Sequence, residues 1–184
     1  MKKISEKMVF EGEWLSVHET LVESKNGASI VWESVRRKKS SVGVIIVARL
    51  MPSKRFILIR QFRPAVNGYV LSFPAGLAFG DPQHALVELK EETGYTGKIV
   101  AVSPVLKTGT SLIDDSGQIV YIEADEKSPE NKNPVQALEP GEDISVCLVK
   151  KSEAVNFFLK EQRKGTYISS NLWYFFGLSE WIKE

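Results

Sequence analysis

The chain has 184 residues and a mass of 20.6 kDa, enough for one domain of ordinary size, alone or with a small extension. Hydrophobic residues make up 43% and charged residues 26%, a composition that excludes a disordered protein. The 24 Lys and Arg residues nearly balance the 23 Asp and Glu residues, which argues against a dedicated nucleic-acid binder. Cys147 is the single cysteine, so an intrachain disulfide and a cysteine-rich zinc site are excluded.

The apolar segments are too short for a membrane protein. The longest one, from Val42 to Leu50, contains Arg49 and cannot cross a bilayer. The first residues, Met1 to Lys7, are polar and basic and do not lead into the apolar core of a secretion signal. We therefore expect a cytoplasmic protein that binds neither membranes nor nucleic acid.

Residues 1–40 form a strand-rich segment. Residues 14–22 and 29–36 alternate loosely between apolar and polar side chains around a turn at 25–27, which predicts a β-hairpin. Such a hairpin cannot hold a hydrophobic core alone, so we expect it to pack on the rest of the chain or on a second copy. The basic residues 36–39 are more typical of a solvated edge than of a nucleic-acid patch in a chain with balanced charge.

The remaining residues alternate between predicted strands and helices. Apolar, β-branched runs and alternation predict strands at 43–47, 56–59, 98–105, 118–123 and 144–149. Capping signals predict helices from Asp81-Pro82 to Thr93, with Gly94 ending the helix, after Ser152, and over 171–182. Residues 76–81 form a predicted loop, and the polar, proline-containing residues 124–141 a mobile one. This order predicts an α/β (α+β) sandwich.

Three glutamates on the first predicted helix are the main candidates for chemistry. Glu88, Glu91 and Glu92 are spaced i, i+3 and i+4, so their carboxylates share one helix face. Like charges at this spacing repel, and a hard divalent cation such as Mg²⁺ would offset the repulsion. A solvated acidic face is the commoner explanation of such a pattern, so the carboxylates alone do not identify a site.

The residues around these glutamates are more specific. Gly76 followed by Glu88-Leu89-x-Glu91-Glu92-x-Gly94-Tyr95 resembles the Nudix box, Gx5Ex7REUxEExGU, in which U is apolar. Upstream, residues 60–64 (RQFRP) and 73–76 (FPAG) are similar to the segments that precede the box in ADP-ribose pyrophosphatases. Taken together these motifs are specific.

The resemblance extends over most of the chain, from Trp14 to Val149. Trp14 and Trp32 lie in the N-terminal segment as two tryptophans do in that subfamily. The resemblance implies a Nudix fold, in which a mixed β-sheet is sandwiched between helices. It also implies a strand-rich, dimerising extension at residues 1–40 and a Nudix hydrolase domain at residues 41–184.

The activity that the resemblance implies is Mg²⁺-dependent hydrolysis of ADP-ribose or a related nucleoside diphosphate sugar to a nucleoside monophosphate and a sugar phosphate. In the family the box glutamates bind Mg²⁺, with Mn²⁺ as an alternative, which here points to Glu88, Glu91 and Glu92. The backbone carbonyl of Ala75 would complete the metal site. Relatives place a further catalytic glutamate on a late loop, and Glu142 matches it beside the catalytic Glu91 and Glu92. An ordinary charged loop residue is an equally good interpretation of Glu142.

The resemblance also indicates the substrate contacts. Trp14 and Trp32 match tryptophans that sandwich adenine in related homodimers, although strand tryptophans are often core residues. Arg37 and Arg63 match positions that contact phosphate or ribose, which suits a guanidinium group. Asp114-Asp115 follows a glycine-containing turn where relatives contact substrate. Turn formation is the favoured role of this pair and metal binding the less favoured one.

The box departs from the pattern in its first half. The spacing from Gly76 to Glu88 is three residues shorter than in the pattern, and Val87 replaces its arginine. Phe79 and Gly80 occupy the region of the loop glutamate that usually pairs with this arginine. Losing both partners of an ion pair can be nearly neutral, whereas losing one is costly. The residues that normally support the metal-binding glutamates are nevertheless changed, which would weaken catalysis. The alternative is thus a Nudix-fold nucleotide-binding protein with weak or lost catalysis, and a scaffold without a ligand is the least favoured.

Overall fold

The computed structural model describes residues 1–38, 42–78 and 80–178. The predicted domain boundary at 40/41, the basic residue Lys39, Phe79 and residues 179–182 of the predicted last helix lie outside these ranges. No helix in the described part of the chain is both long and apolar enough to span a membrane.

The N-terminal segment is a three-stranded antiparallel sheet rather than a hairpin. Strand β1 (Lys2–Glu11) pairs with β2 (Leu15–Glu23), which pairs with β3 (Ser29–Arg37). Across β2, both terminal nitrogens of Arg36 donate hydrogen bonds to the carboxylate of Glu6, each at 2.7 Å. This guanidinium, together with the ammonium group of Lys3, lowers the pKa of Glu6 to about 2. The charged pair thus ties the unexpected first strand to the predicted hairpin.

A mixed sheet of nine strands forms the centre of the described structure. Its strands are β4 (Val42–Met51), β5 (Arg55–Arg63), β6 (Gly68–Ser72), β7 (Ala75–Leu77), β8 (Lys98–Val102), β9 (Leu106–Lys107), β10 (Ser116–Asp125), β11 (Ile144–Lys150) and β12 (Tyr167–Ile168). The main path runs β12-β6-β5-β4-β10-β8, with β11 on β5, β7 on β4 and β9 on β10. Strands β4 and β10 pair in parallel, and β12 also pairs in parallel with β6. Each strand predicted in this region is found, although the one predicted at 98–105 ends at Val102.

Helices cover both faces of this sheet. They are α1 (His84–Thr93), α2 (Pro129–Lys132), α3 (Ala154–Arg163) and α4 (Ser170–Leu172), the last continued by a π-helical turn at Trp173–Gly177. On one face Leu89 of α1 is fully buried with Ile57 and other sheet residues. On the other face Phe158 of α3 and Phe176 pack edge to face, with ring centroids 5.5 Å apart. The predicted α/β (α+β) fold, a mixed sheet between helices, is confirmed.

Two predicted boundaries of α1 and its loop were wrong. Asp81 accepts a hydrogen bond from the backbone N–H of Gln83 at 2.9 Å, and the helix begins only at His84. The Asp-Pro signature therefore marks a turn that leads into the helix. The predicted loop at 76–81 begins as strand β7, while Gly94 ends the helix in the left-handed conformation as expected (φ 77°).

Two further predictions need correction downstream. The predicted loop 124–141 contains α2, whose buried Asn131 donates to the carbonyls of Thr96 and Asp125, each at 2.9 Å. Helix α3 follows a 3-10 turn at Lys151–Glu153 and has no side-chain cap from Ser152. The first error passed over a local signal, since Ser128 caps α2 and Pro129 begins it, whereas the second arises because a short irregular turn precedes α3.

Candidate active site

The acidic face of α1 lies against strand β7. The backbone N–H of Ala75 donates a hydrogen bond to Glu92 Oε2 at 3.1 Å. One residue further along, a Cβ atom added at Gly76 would overlap the carboxylate of Glu88, so only glycine allows this close approach. Two of the three predicted glutamates therefore lie against consecutive residues of β7, Glu92 with a hydrogen bond and Glu88 in close approach.

Burial makes these carboxylates unusual acids. Glu92 is only 4% exposed, and burial raises its pKa to about 8, with a further contribution from the Glu88 carboxylate. Burial is also the main cause of the raised pKa of Glu88. The negative charges of Glu91 and Glu142 raise this pKa further. The negative charge of Glu142 contributes to the raised pKa of both groups, and the predicted catalytic role of this late-loop residue stays a prediction.

Glu91 differs from its two neighbours. Its side chain is exposed, whereas Glu92 is buried and Glu88 half-buried. Its backbone carbonyl accepts a hydrogen bond from the N–H of Ala137 at 2.9 Å, which ties the end of α1 to the segment that leads to Glu142. The helix spacing thus places Glu91 at the outer edge of the acidic face.

The acidic face has the donor chemistry of a site for a hard cation. Its side-chain donors are carboxylate oxygens, which Mg²⁺ prefers, and their mutual repulsion would be offset by a cation. Within residues 1–38, 42–78 and 80–178, no three His, Cys, Asp or Glu side chains have the mutual spacing of a metal-binding cluster. A metal bound by the carboxylates of α1 would therefore need backbone or substrate oxygens as further ligands.

A cavity of about 330 Å³ opens beside β7 and contains both predicted arginines. Arg37 and Arg63 line it together with Ala75 and Gly76. Its other lining residues are Gly43, Val44, Ile45, Leu77, Thr108, Asp115, Ser116 and Gly117. Two guanidinium groups next to the strand against which Glu88 and Glu92 lie suit a substrate with phosphate groups.

Asp115 orients one of these arginines. Arg37 Nε donates hydrogen bonds to both carboxylate oxygens of Asp115, at 3.0 and 3.1 Å. The neighbouring Asp114 instead forms an ion pair with Lys107, at 2.6 Å between Nζ and Oδ1. Both aspartates are thus engaged by cationic side chains, and the role of Asp115 in the cavity was missed in the sequence. The basic stretch around Arg37 and an acidic turn were both visible, but their pairing was not.

The loop 108–115 connects this cavity to the N-terminal sheet. The N–H of Val35 donates to the carbonyl of Leu112 at 2.7 Å, and the N–H of Asp114 donates to the carbonyl of Val35 at 3.1 Å. The indole N–H of Trp32 donates to the carbonyl of Ser111 at 3.1 Å. The wall of the cavity and strand β3 therefore form one hydrogen-bonded unit.

The two predicted stacking tryptophans lie far from each other. Trp14 is 71% exposed and Trp32 is 50% exposed, which excludes a core role for either, and neither lines the cavity. Trp14 lies opposite Lys38, whose N–H donates to the Trp14 carbonyl. Trp32 lies on β3, six residues before Lys38. At about 3.3 Å per residue, the backbones of Trp14 and Trp32 are therefore about 20 Å apart. One chain therefore cannot place both indoles on one adenine.

Comparisons with known proteins place this fold and site in a family. No family model matches the chain. It is 33% identical over 179 residues to "Putative nudix hydrolase 2" of Caenorhabditis elegans, which covers 91% of this chain and 80% of that protein. It is 32% identical over 163 residues to the ADP-ribose pyrophosphatase of Saccharomyces cerevisiae, covering 83% of this chain and 71% of the relative.

An ADP-sugar pyrophosphatase of Mus musculus is 30% identical over 159 residues, which cover 81% of this chain and 73% of that protein. A crystal structure described as an ADP compounds hydrolase superposes with a TM-score of 0.61 over 90% of this chain and 96% of the other, at 19% identity. That likeness supports the fold. The chain belongs to the Nudix hydrolase family, which confirms the predicted resemblance and its assignment as an enzyme.

Proposed function

We propose that this Nudix hydrolase cleaves the pyrophosphate of ADP-ribose or a related nucleoside diphosphate sugar to a nucleoside monophosphate and a sugar phosphate. The main support for this proposal is the cavity in which Arg37 and Arg63 lie beside Ala75 and Gly76, the residues against which Glu92 and Glu88 of α1 lie. The names of the yeast and mouse relatives support the same substrate class.

The acidic face would hold the metal that this reaction needs. Glu88, Glu91 and Glu92, with the carbonyl of Ala75, would bind Mg²⁺, or Mn²⁺ in its place. When bound, the cation supplies charge neutralisation and Lewis-acid polarisation of the diphosphate. Glu142, on the loop that is hydrogen-bonded to the end of α1 through Ala137 and Glu91, would accept the proton of the attacking water.

The two arginines would bind the pyrophosphate. A guanidinium group forms two parallel hydrogen bonds with phosphate oxygens, and this geometry requires a fixed orientation. Asp115 supplies that orientation for Arg37, because it accepts the Nε hydrogen bond and leaves the terminal nitrogens on the other edge of the group. Arg63 lines the same cavity as Ala75, whose N–H donates to Glu92, so it would bind phosphate next to the acidic face.

The protein would act as a homodimer in which residues 1–40 form the dimerisation segment of the 41–184 hydrolase domain. The N-terminal sheet exposes large apolar side chains, among them Met8 (52% exposed), Phe10 (56%) and Val31 (60%), which a second copy would cover. The separation of Trp14 from Trp32 supports the same arrangement, because only Trp14 of one chain and Trp32 of another can stack on one adenine.

The test is phosphate release from a panel of nucleoside diphosphate sugars in a phosphatase-coupled assay, with Mg²⁺ and with EDTA. We expect turnover of ADP-ribose with Mg²⁺, and its loss in Glu92→Gln without loss of folding. Glu153→Gln, at an exposed carboxylate away from α1, is the matched control and should retain activity. Absence of turnover on every substrate, with stabilisation by nucleotide, would instead support the nucleotide-binding alternative.

A further inference from the structure

The segment that carries Glu142 is anchored at its start to helix α1. The side-chain amide of Gln136 donates to the carbonyl of Glu92 at 2.6 Å and to the carbonyl of Ile144 at 3.3 Å. The N–H of Ala137 donates to the carbonyl of Glu91 at 2.9 Å. These bonds bring the first residue of β11 and the end of α1 together, so the residues between them form a short closed loop.

A second anchor holds the end of this loop, directly after Glu142. The N–H of Phe62 on β5 donates to the carbonyl of Asp143 at 3.1 Å, and the Tyr69 hydroxyl on β6 donates to Asp143 Oδ2. The Asp143 carboxylate raises the pKa of Tyr69, which keeps the phenol protonated as a donor. The Arg60 guanidinium lies 4.7 Å from the centre of the Tyr69 ring and fixes the ring from one side.

Between the anchors the loop folds back on itself. The N–H of Glu142 donates to the carbonyl of Glu139 at 3.1 Å, and the N–H of Glu139 donates to Glu142 Oε2 at 2.9 Å. Gly141 adopts a left-handed conformation in this turn, with φ 97°. The position of the Glu142 carboxylate therefore depends on the shape of the loop, and the shape depends on the anchor at the next residue.

We propose that the Tyr69 hydroxyl is a positioning group which, by holding Asp143, fixes the neighbouring Glu142 in the loop that is hydrogen-bonded to the backbone of Glu91 and Glu92. This inference rests on the proposed function, because it assigns Tyr69 a role in the same reaction. Tyr69 belongs to β6, outside the box, and does not line the cavity. Its effect reaches the reaction through Glu142, and misplacing a catalytic group by about 1 Å can lower the rate by up to about 100-fold.

The first test is Tyr69→Phe, which removes the hydroxyl and keeps the ring, its contact with Arg60 and its edge contact with Phe62. We expect kcat to fall about 5- to 30-fold while KM changes less than about twofold. Tyr174→Phe, at an exposed tyrosine in the C-terminal turn, is the matched control and should keep kcat unchanged. An unchanged kcat in Tyr69→Phe, or a rise in KM alone, would overturn the proposal.

The second test separates positioning from a general loss of stability. If Tyr69 acts through Glu142, adding Tyr69→Phe to Glu142→Gln should cause no further loss of kcat, whereas independent roles would give multiplied losses. Amide hydrogen exchange supplies a readout without substrate, since Tyr69→Phe should speed exchange in residues 137–143 and leave α3 unchanged. Unchanged exchange in that loop contradicts the inference. Full activity in Glu142→Gln contradicts the role of Glu142, while a wild type without turnover contradicts the proposed function.

Discussion

Two single substitutions in the N-terminal sheet should complement each other when the variants are mixed. Trp14 and Trp32 are separated by six residues along the β2–β3 hairpin, about 20 Å at about 3.3 Å per residue. Aromatic rings on opposite faces of one base lie about 7 Å apart, because stacked carbon atoms approach to about 3.5 Å. Adenine can therefore be sandwiched only by Trp14 of one chain and Trp32 of the other.

Each single variant, Trp14→Ala or Trp32→Ala, should lose stacking of about 1–3 kcal/mol, which lowers kcat/KM about 5- to 150-fold. After dissociation and reassociation of an equal mixture, half of the dimers are heterodimers. In each heterodimer one site lacks both indoles and the other has both. The mixture should recover about one quarter of the wild-type kcat/KM, measured with ADP-ribose well below KM.

Each variant dissociated and reassociated by itself is the control and should stay at its own low activity. A mixture that remains at the mean of the two variants would refute the shared site. A mass near 20.6 kDa by light scattering at micromolar concentration would refute the dimer itself.

Three further outcomes follow from the described contacts. In metal-free protein the pKa of Glu92 is about 8 against an ordinary 4.5, so the folded state holds an extra proton between these values. The unfolding free energy of the wild type, relative to that of Glu92→Gln, should thus fall by up to about 4 kcal/mol between pH 5 and pH 9. Urea titrations of both proteins with EDTA measure this difference, and parallel pH profiles of the two proteins would contradict it. Asp115→Ala should raise KM about two- to fivefold by freeing Arg37, while Asp114→Ala should not, and equal KM values in steady-state kinetics would argue against the orienting role. Phe158→Ala should lower the unfolding free energy by about 3–5 kcal/mol in urea titrations, because the ring is fully buried; a loss below 1 kcal/mol would contradict its place in the core.

The central sheet was predictable because its local sequence and its burial agree. Strands β4 and β5 are covered on both faces by helices, so their sequences are continuous apolar runs. Strand β1 has no such signal, since nearly all of its residues are exposed. Its charged side chains pair with other residues, Glu6 with Arg36 and Lys7 with Glu19, and these partners are distant in sequence.

The candidate site divides in the same way. The shared face of Glu88 and Glu92 follows from helix spacing and could be predicted without a structure. The pairing of Arg37 with Asp115 spans 78 residues and that of Tyr69 with Asp143 spans 74, so no local pattern indicates either. Residues whose role follows from a local pattern were therefore predictable, whereas pairings between residues distant in sequence were not.

The hydrogen bonds between Val35 and the loop 108–115 have a thermodynamic consequence. Asp115, at one end of this loop, lines the cavity. Leu112 and Asp114 form backbone hydrogen bonds with Val35 on strand β3 of the proposed dimerisation segment. A ligand that stabilises the loop also stabilises the sheet that a second copy would cover. Binding and self-association are then linked equilibria, and the factor by which substrate tightens the dimer equals the factor by which dimerisation tightens substrate binding.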